Sequence, residues 1–206
     1  MGEVRVGDMV RRALCFLARE GPVTCQDRWE EDAGINTFTV AVAIAELGEG
    51  SRFLYGREAE CALMLADAWN ARLEDWTWAA DTTLSRLLGV PGYYMRSAPR
   101  DVLIHEGAKL EHLLVKNRAH DLGLAADEQL AIDCLQLARF GLRAVDDPAM
   151  AASIAAIDTL LKTDTPNGPV WHRYNGDGYG EHPDGAPFDG WGRGRGWPLL
   201  SGERGH

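Results

Sequence analysis

Thr37-Phe-Thr-Val-Ala-Val-Ala-Ile-Ala-Glu-Leu47 is apolar on nearly every side of a helical wheel, and this stretch decides the fold class. A helix with one apolar stripe lies on a surface, whereas one that is apolar all round has to be enclosed by other elements. The segment therefore predicts a buried helix, ended by Gly48 and Gly50. Its neighbours supply the enclosing layers. Upstream, Val10, Ala13, Leu14 and Leu17 recur at helical spacing over about 6–19, and Gly21-Pro22 stops the pattern. Downstream, Leu63, Ala66, Trp69, Leu73 and Trp76 form one stripe of a helix over about 57–76, with the tryptophans read as core. Two more helices are predicted over about 127–145 and 148–161, the second opened by Pro148 and carrying Met150, Ile154, Ile157 and Leu161 in register. Helix following helix through short turns is the pattern of stacked hairpins, which predicts an all-α class. Between 81 and 122 the periodicity weakens, and Tyr93-Tyr-Met95 and Val102-Leu-Ile104 read as short strands or loop.

The composition is that of a globular chain: 206 residues, 46% hydrophobic and 25% charged, enough to bury a core. A formal charge of −10 argues against a nucleic-acid partner, because counterion release from phosphates needs clustered Lys and Arg. Sugars, being neutral, face no such obstacle. Cys15, Cys25, Cys61 and Cys134 form no Cys-x-x-Cys pair, so they are expected to be reduced core thiols or incidental rather than a zinc or redox motif. No run approaches the roughly 18 apolar residues of a membrane span. The first twenty residues read as an amphipathic helix rather than a signal peptide, which leads us to expect a cytoplasmic protein without a membrane partner.

Two segments carry chemistry. Gln26-Asp-Arg-Trp-Glu-Glu-Asp-Ala-Gly34 places the carboxylates Asp27, Glu30, Glu31 and Asp32 beside the indole of Trp29. Glycoside hydrolysis needs a protonated carboxyl at the leaving oxygen, and crowded like charges are one way to keep a carboxyl protonated. A helical reading of the run would bring Asp27, Glu30 and Glu31 to one side. Acidic runs at helix starts are, however, ordinarily solvated faces. The second segment, over 163–196, is rich in Gly and in aromatics including Trp171, Tyr174, Tyr179, Phe188 and Trp191, as an ordered functional loop would be. Within it Arg173 can pair with a carboxylate or bridge sugar hydroxyls, and Asp177 can accept from a diol. An EF-hand reading from Asn175 fails, because Ala186 stands where a bidentate Glu is required. The Gly176-Asp-Gly178 spacing is wrong for a dinucleotide loop, and no Gly-x-Ser-x-Gly elbow is present. Gly192-Arg-Gly-Arg-Gly196 reads as a cationic turn for nearby carboxylates rather than an RNA-binding tract. Neither metal nor cofactor is called for.

The stretches Gly21–Gly34, Gly92-Tyr-Tyr-Met-Arg96, Thr165–Tyr174, Pro187–Trp191 and Gly196–His206, in that order, resemble the bacterial branch of glycoside hydrolase family 15, the glucoamylases and glucodextranases. The resemblance covers nearly the whole chain. It implies an (α/α)6 barrel of the six-hairpin glycosidase type, with residues 1–206 forming a partial catalytic domain that lacks its N-terminal and C-terminal parts. It implies Glu30 as general acid, Trp29 and Glu31 as shapers of the sugar subsites, and Arg173 and Asp177 as contacts to substrate or to Glu31, with Asp27 in the same substrate-binding set. The implied reaction is release of glucose from non-reducing ends of α-linked gluco-oligosaccharides or polysaccharides, with inversion. Inversion needs a second carboxylate to activate water, about 6.5–9.5 Å from the first. The family's base lies in a Glu-Gln motif beyond His206, and its Trp-Pro-Arg-Asp-like segment lies upstream of the acid, so the expectation is a chain inactive alone. Glu203 is read as structural. Glucodextranase or trehalase action stays open, as does a noncatalytic carbohydrate-binding fragment or pseudoenzyme.

Overall fold

The computed structural model describes residues 5–206 except 181, 183, 185, 188 and 191–193. The first helix, α1 (Val6–Glu20), ends where Gly21 adopts φ 80° and donates its N–H to Leu17 O. A turn-rich loop leads to the short strand β1 (Ile35–Asn36) and then to α2 (Thr37–Gly50), started by the Asn36 side chain, which accepts from Thr39 N. Thr37, Val40, Ala41, Ala43, Ile44 and Leu47 are buried, as a helix apolar on all sides requires. Gly48 and Gly50 lie within α2 rather than beyond its end. A Cβ on Gly50 would come within 2.9 Å of Leu14, so this glycine lets α1 approach α2 closely.

The helix predicted over 57–76 divides at Arg72 into α3 (Arg57–Ala71) and α4 (Leu73–Thr77). Ala62, Ala66, Trp69, Leu73 and Trp76 are buried, whereas Leu63 is 46% exposed and falls off the stripe expected for it. The weakly patterned region follows: β2 (Trp78–Ala80), α5 (Thr83–Leu88), β3 (Gly92–Tyr94) and β4 (Ser97–Ala98). β3 pairs antiparallel with β2, and β4 with β1. Val102 and Leu103 belong to a 3-10 turn.

A larger departure concerns the helix expected over 127–145, of which only α6 (Leu135–Arg139) forms. Residues 129–131 run extended instead, and a 3-10 turn begins at Ile132, because this backbone is claimed from both sides. Arg96 N donates to Gln129 O at 2.7 Å, Met95 bridges to Leu130, Ala131 bridges to Tyr174, and Ile132 N donates to Arg173 O. Tertiary pairing overrides the local helical pattern. The last helix read from the pattern is α7 (Pro148–Leu160), capped by Asp147 and packed through Ser153 against Tyr94 N of β3. The hairpin β5 (Lys162–Thr165) and β6 (Gly168–Trp171) precedes the glycine-rich loop, and α8 (Pro198–Gly205) closes the described chain.

Helices dominate, and the strands form only two-stranded pairs among the described residues, so the all-α class holds. Cys134 is in the core, with its thiol pKa pushed up by burial, while Cys15, Cys25 and Cys61 are exposed. A groove of about 520 Å³ between α1, α2 and α3 is lined mainly by Leu14, Leu47, Leu54, Ala62 and Leu65. It shares no residue with the polar cluster described next. No helix among the described residues is long and apolar enough to cross a membrane.

Candidate active site

The segment 24–34 is a closed loop rather than a helix. Thr24 and Gly34 exchange two backbone hydrogen bonds at its base, at 2.9 and 3.0 Å. Gly34 sits at φ 147°, and a Cβ there would collide with the Ala98 carbonyl of β4, so glycine is required. At the loop tip Asp27 folds the chain over itself: its Oδ1 accepts from Trp29 N at 2.9 Å and Glu31 N at 3.0 Å. Glu30 follows with φ 61°, a left-handed backbone that costs a non-glycine residue about 1–2 kcal/mol.

The consequence is a split among the four carboxylates. Asp27 and Asp32 are buried and Glu31 nearly so, whereas Glu30 is exposed. Glu30 shows no side-chain hydrogen bond or ion pair among the described residues. The convergence of Asp27, Glu30 and Glu31 expected of a helix does not occur. Asp27, Glu31 and Asp32 converge instead on Arg96, which is fully buried and reaches them through Nη2 at 3.0, 2.8 and 2.7 Å. The Arg96 guanidinium also donates to Gln129 Oε1 at 3.2 Å and lies 3.7 Å from the centroid of the Tyr174 ring. Burial opposes its charge, but Tyr174, Asp32, Asp27 and Glu31 more than offset this, and its pKa is raised. The oxygens of Asp27, Glu31 and Asp32 lie close enough to hold a metal ion, within 4.8 Å of one another, yet the cation gathering them is this guanidinium. A second potential donor set, Asp101, His105 and Glu111, is exposed on the surface.

The distant loop completes the cluster. Arg173 pairs with Asp177 through two bonds, Nε to Oδ2 at 2.8 Å and Nη2 to Oδ1 at 2.6 Å, and its Nη2 also lies 3.0 Å from Glu31 Oε1. Both residues are buried, at 4% and 2% exposure, so the structure places them beside Glu31 and beneath the surface. The Tyr174 hydroxyl donates a short hydrogen bond to Glu31 Oε2. Burial raises the tyrosine pKa, with the Asp177 and Glu31 charges adding to it against Arg96, so the hydroxyl stays a neutral donor. Glu31 thus has both oxygens occupied: Oε1 by Arg173 and Asn117, Oε2 by Arg96 and Tyr174.

Trp29 is half-buried, with the guanidinium groups of Arg28 and Arg173 4.7 and 5.0 Å from its ring centroid and Trp197 packed at 5.7 Å. Tyr179 stacks on Trp197 in turn. Phe188, Trp191 and Arg193 lie outside the described residues. Arg28 joins Glu203 at 3.0 Å and Asp133 at 3.2 Å, tying the loop to α8.

Asp133 has a consequence for stability. Burial lifts its pKa from 3.8 to about 6, against the pull of Arg28 and with help from Asp27. A carboxyl whose folded pKa is raised stabilises the fold fully below the unfolded value, and that contribution is lost as pH rises through the folded value. Stability from this group should fall between pH 3.8 and about 6, by up to about 3 kcal/mol for a shift of this size. Asp133→Asn, which keeps an oxygen for Arg28, is expected to flatten this part of the curve of melting temperature against pH. An unchanged slope would contradict it.

Residues 3–200 match the family model described as Glycosyl hydrolases family 15. The chain belongs to this family. It is 32% identical over 203 residues to a glucoamylase of Clostridium sp. (strain G0005), covering 96% of this chain and 27% of that protein. It also resembles the crystal structure of a bacterial glucoamylase complexed with acarbose, with a TM-score of 0.82 and 32% identity, over 97% of this chain and 29% of that one. The chain therefore spans less than a third of the length of either, and its helices are those of the family's α/α barrel. The family assignment makes this a glycosyl hydrolase sequence. Arg96, Asn117, Lys116 and the linking role of Arg28 were not among the residues expected to matter. Only Arg96 had a signal, a charge directly following the Tyr-Tyr-Met run.

Proposed function

We propose that this chain carries the acid half of a glucoamylase-type active site, with residues 1–206 forming part of the catalytic domain. Glu30 donates the proton to the glycosidic oxygen of an α-linked gluco-oligosaccharide or polysaccharide. One observation supports this above the others: of two adjacent glutamates, Glu31 has four donors on its two oxygens, whereas Glu30 is exposed and uncommitted. A general acid has to reach the leaving oxygen and cannot be tied to fixed cations. Glu31, Asp27, Arg173 and Asp177 then hold the loop and the charge around it, and Trp29 supplies the apolar wall. The acarbose bound by the similar glucoamylase fits a gluco-oligosaccharide as partner.

Inversion requires a second carboxylate to activate water on the opposite face of the sugar. Asp27, Glu31, Asp32 and Asp177 are all held by guanidinium or ammonium groups, so we assign the base to chain outside these residues. The same observation favours a second reading, in which these residues bind carbohydrate without turnover. Reading the coding DNA on both sides separates the two: in-frame continuation into a Glu-Gln motif supports the enzyme, and genuine start and stop signals support the binding fragment. The isolated 206-residue chain is expected to release no glucose from maltooligosaccharides in a coupled glucose assay. Glu30-dependent release by this chain alone would refute the assignment of the base.

A further inference from the structure

The acid loop and the Arg173–Asp177 loop lie far apart in sequence, and a third segment stands between them in space. Residues 113–124 form a loop closed by Leu113 N donating to Leu124 O and by a bridge between His112 and Ala125. At its tip Lys116, Asn117 and Arg118 each reach across. Lys116 Nζ lies 3.2 Å from Asp32 Oδ1 and donates to the Glu31 carbonyl. Arg118 Nε donates to Gly176 O at 2.8 Å.

Asn117 makes the central connection. Its amide nitrogen faces Glu31 Oε1 at 2.8 Å, Asp177 Oδ1 at 3.1 Å and the Tyr174 hydroxyl, while its Oδ1 accepts from Gly178 N at 2.7 Å. A Cβ on Gly178 would collide with the Asn117 carbonyl, so the two loops touch only because that residue is glycine. A neutral amide is the group this place requires. It donates to two carboxylates without adding charge and accepts from a backbone N–H, which neither Lys nor Asp can do.

We propose that Asn117 is a positioning residue, which sets the Glu31 carboxylate against the Arg173–Asp177 pair and so holds the loop that presents Glu30. The functional part of this inference rests on the proposed role of that loop. Asn117→Ala removes every side-chain contact. Asn117→Asp keeps the oxygen that accepts from Gly178 but turns a second oxygen toward Glu31 and Asp177.

The test uses the 206-residue chain, with acarbose as probe followed by tryptophan fluorescence, and amide hydrogen exchange. Loss of hydrogen bonds to charged groups predicts that Asn117→Ala weakens acarbose binding about tenfold or more. Exchange should accelerate by a similar factor at Gly178 and Glu31 while α7 keeps its protection. Asn117→Asp should behave alike at about pH 7.5 and recover at about pH 4.5, where the introduced carboxyl, facing the like charges of Glu31 and Asp177 that favour its neutral form, regains a proton to donate. A loop that merely loosens would show no such recovery. Unchanged acarbose affinity in Asn117→Ala overturns the proposal. If the unsubstituted chain binds no acarbose, the sugar-binding reading of this chain fails by itself, and exchange decides the positioning. Acceleration confined to the two loops, reversed by acid in Asn117→Asp, then supports it, and unchanged exchange overturns it.

Discussion

Glu30→Gln, placed in a full-length family protein that contains this segment and a general base, is expected to lower kcat on maltotriose by about 10²–10⁴-fold, the usual worth of a general acid. Gln keeps the size and the exposed position but has no proton of suitable acidity. The left-handed backbone at Glu30 is equally open to Gln, and no side-chain partner among the described residues is lost. Binding of maltotriose itself, read as Kd in the slowed variant, should therefore stay within a few-fold, because the groups clustered around Glu31 are untouched. α-Glucosyl fluoride makes the comparison sharper. Fluoride departs without protonation, so its hydrolysis should survive in Glu30→Gln while maltotriose hydrolysis does not. Equal loss on both substrates would assign Glu30 another role, and unchanged turnover on maltotriose would remove it from the chemistry. Glu31→Gln serves as contrast: it weakens the hold of Arg96 and Arg173 on the loop and should impair both substrates together.

The helices that could be read from the chain were those whose burial follows from their own residues. The region 37–47 is apolar all round and 148–161 has a proline at its first turn and a stripe, and both formed helices. The pattern over 127–145 looked equally helical, yet residues 129–132 gave their backbone to Met95, Arg96, Arg173 and Tyr174, partners remote in sequence. The candidate site divides in the same way. The acidic run announced its carboxylates, but not that Asp27 would fold it into a turn that separates Glu30 from the rest. Asn117 and Lys116 carried no local signal, because an amide or an ammonium in a polar loop is ordinary until Glu31, Asp32 and Asp177 are brought to it. The family resemblance carried Glu30, Arg173 and Asp177 by their motifs, whereas the contacts that bind those motifs together arise only on folding.

Removing Arg96 should have the largest effect on stability. Arg96→Ala leaves Asp27, Glu31 and Asp32 around an empty space, two of them buried, and breaking a buried ion pair from one side typically costs about 3–5 kcal/mol. That is a large part of the stability of an ordinary domain, so the variant should lose cooperative urea unfolding or show a much lower midpoint at neutral pH. Loss of packing alone would predict a deficit independent of pH. Loss of the cation predicts something else: without Arg96 the like charges of Asp27, Glu31 and Asp32 face one another with less to oppose them, and acid relieves that repulsion. Stability of the variant then recovers as pH falls and is lost again as pH rises, and the gap to the unsubstituted chain should narrow on acidification. Arg96→Lys should restore little, because one ammonium cannot serve three carboxylates and Gln129 while also lying flat on the Tyr174 ring. A gap of constant size from neutral to acid pH would mean that Arg96 acts through its volume, and the electrostatic account of the cluster would fall with it.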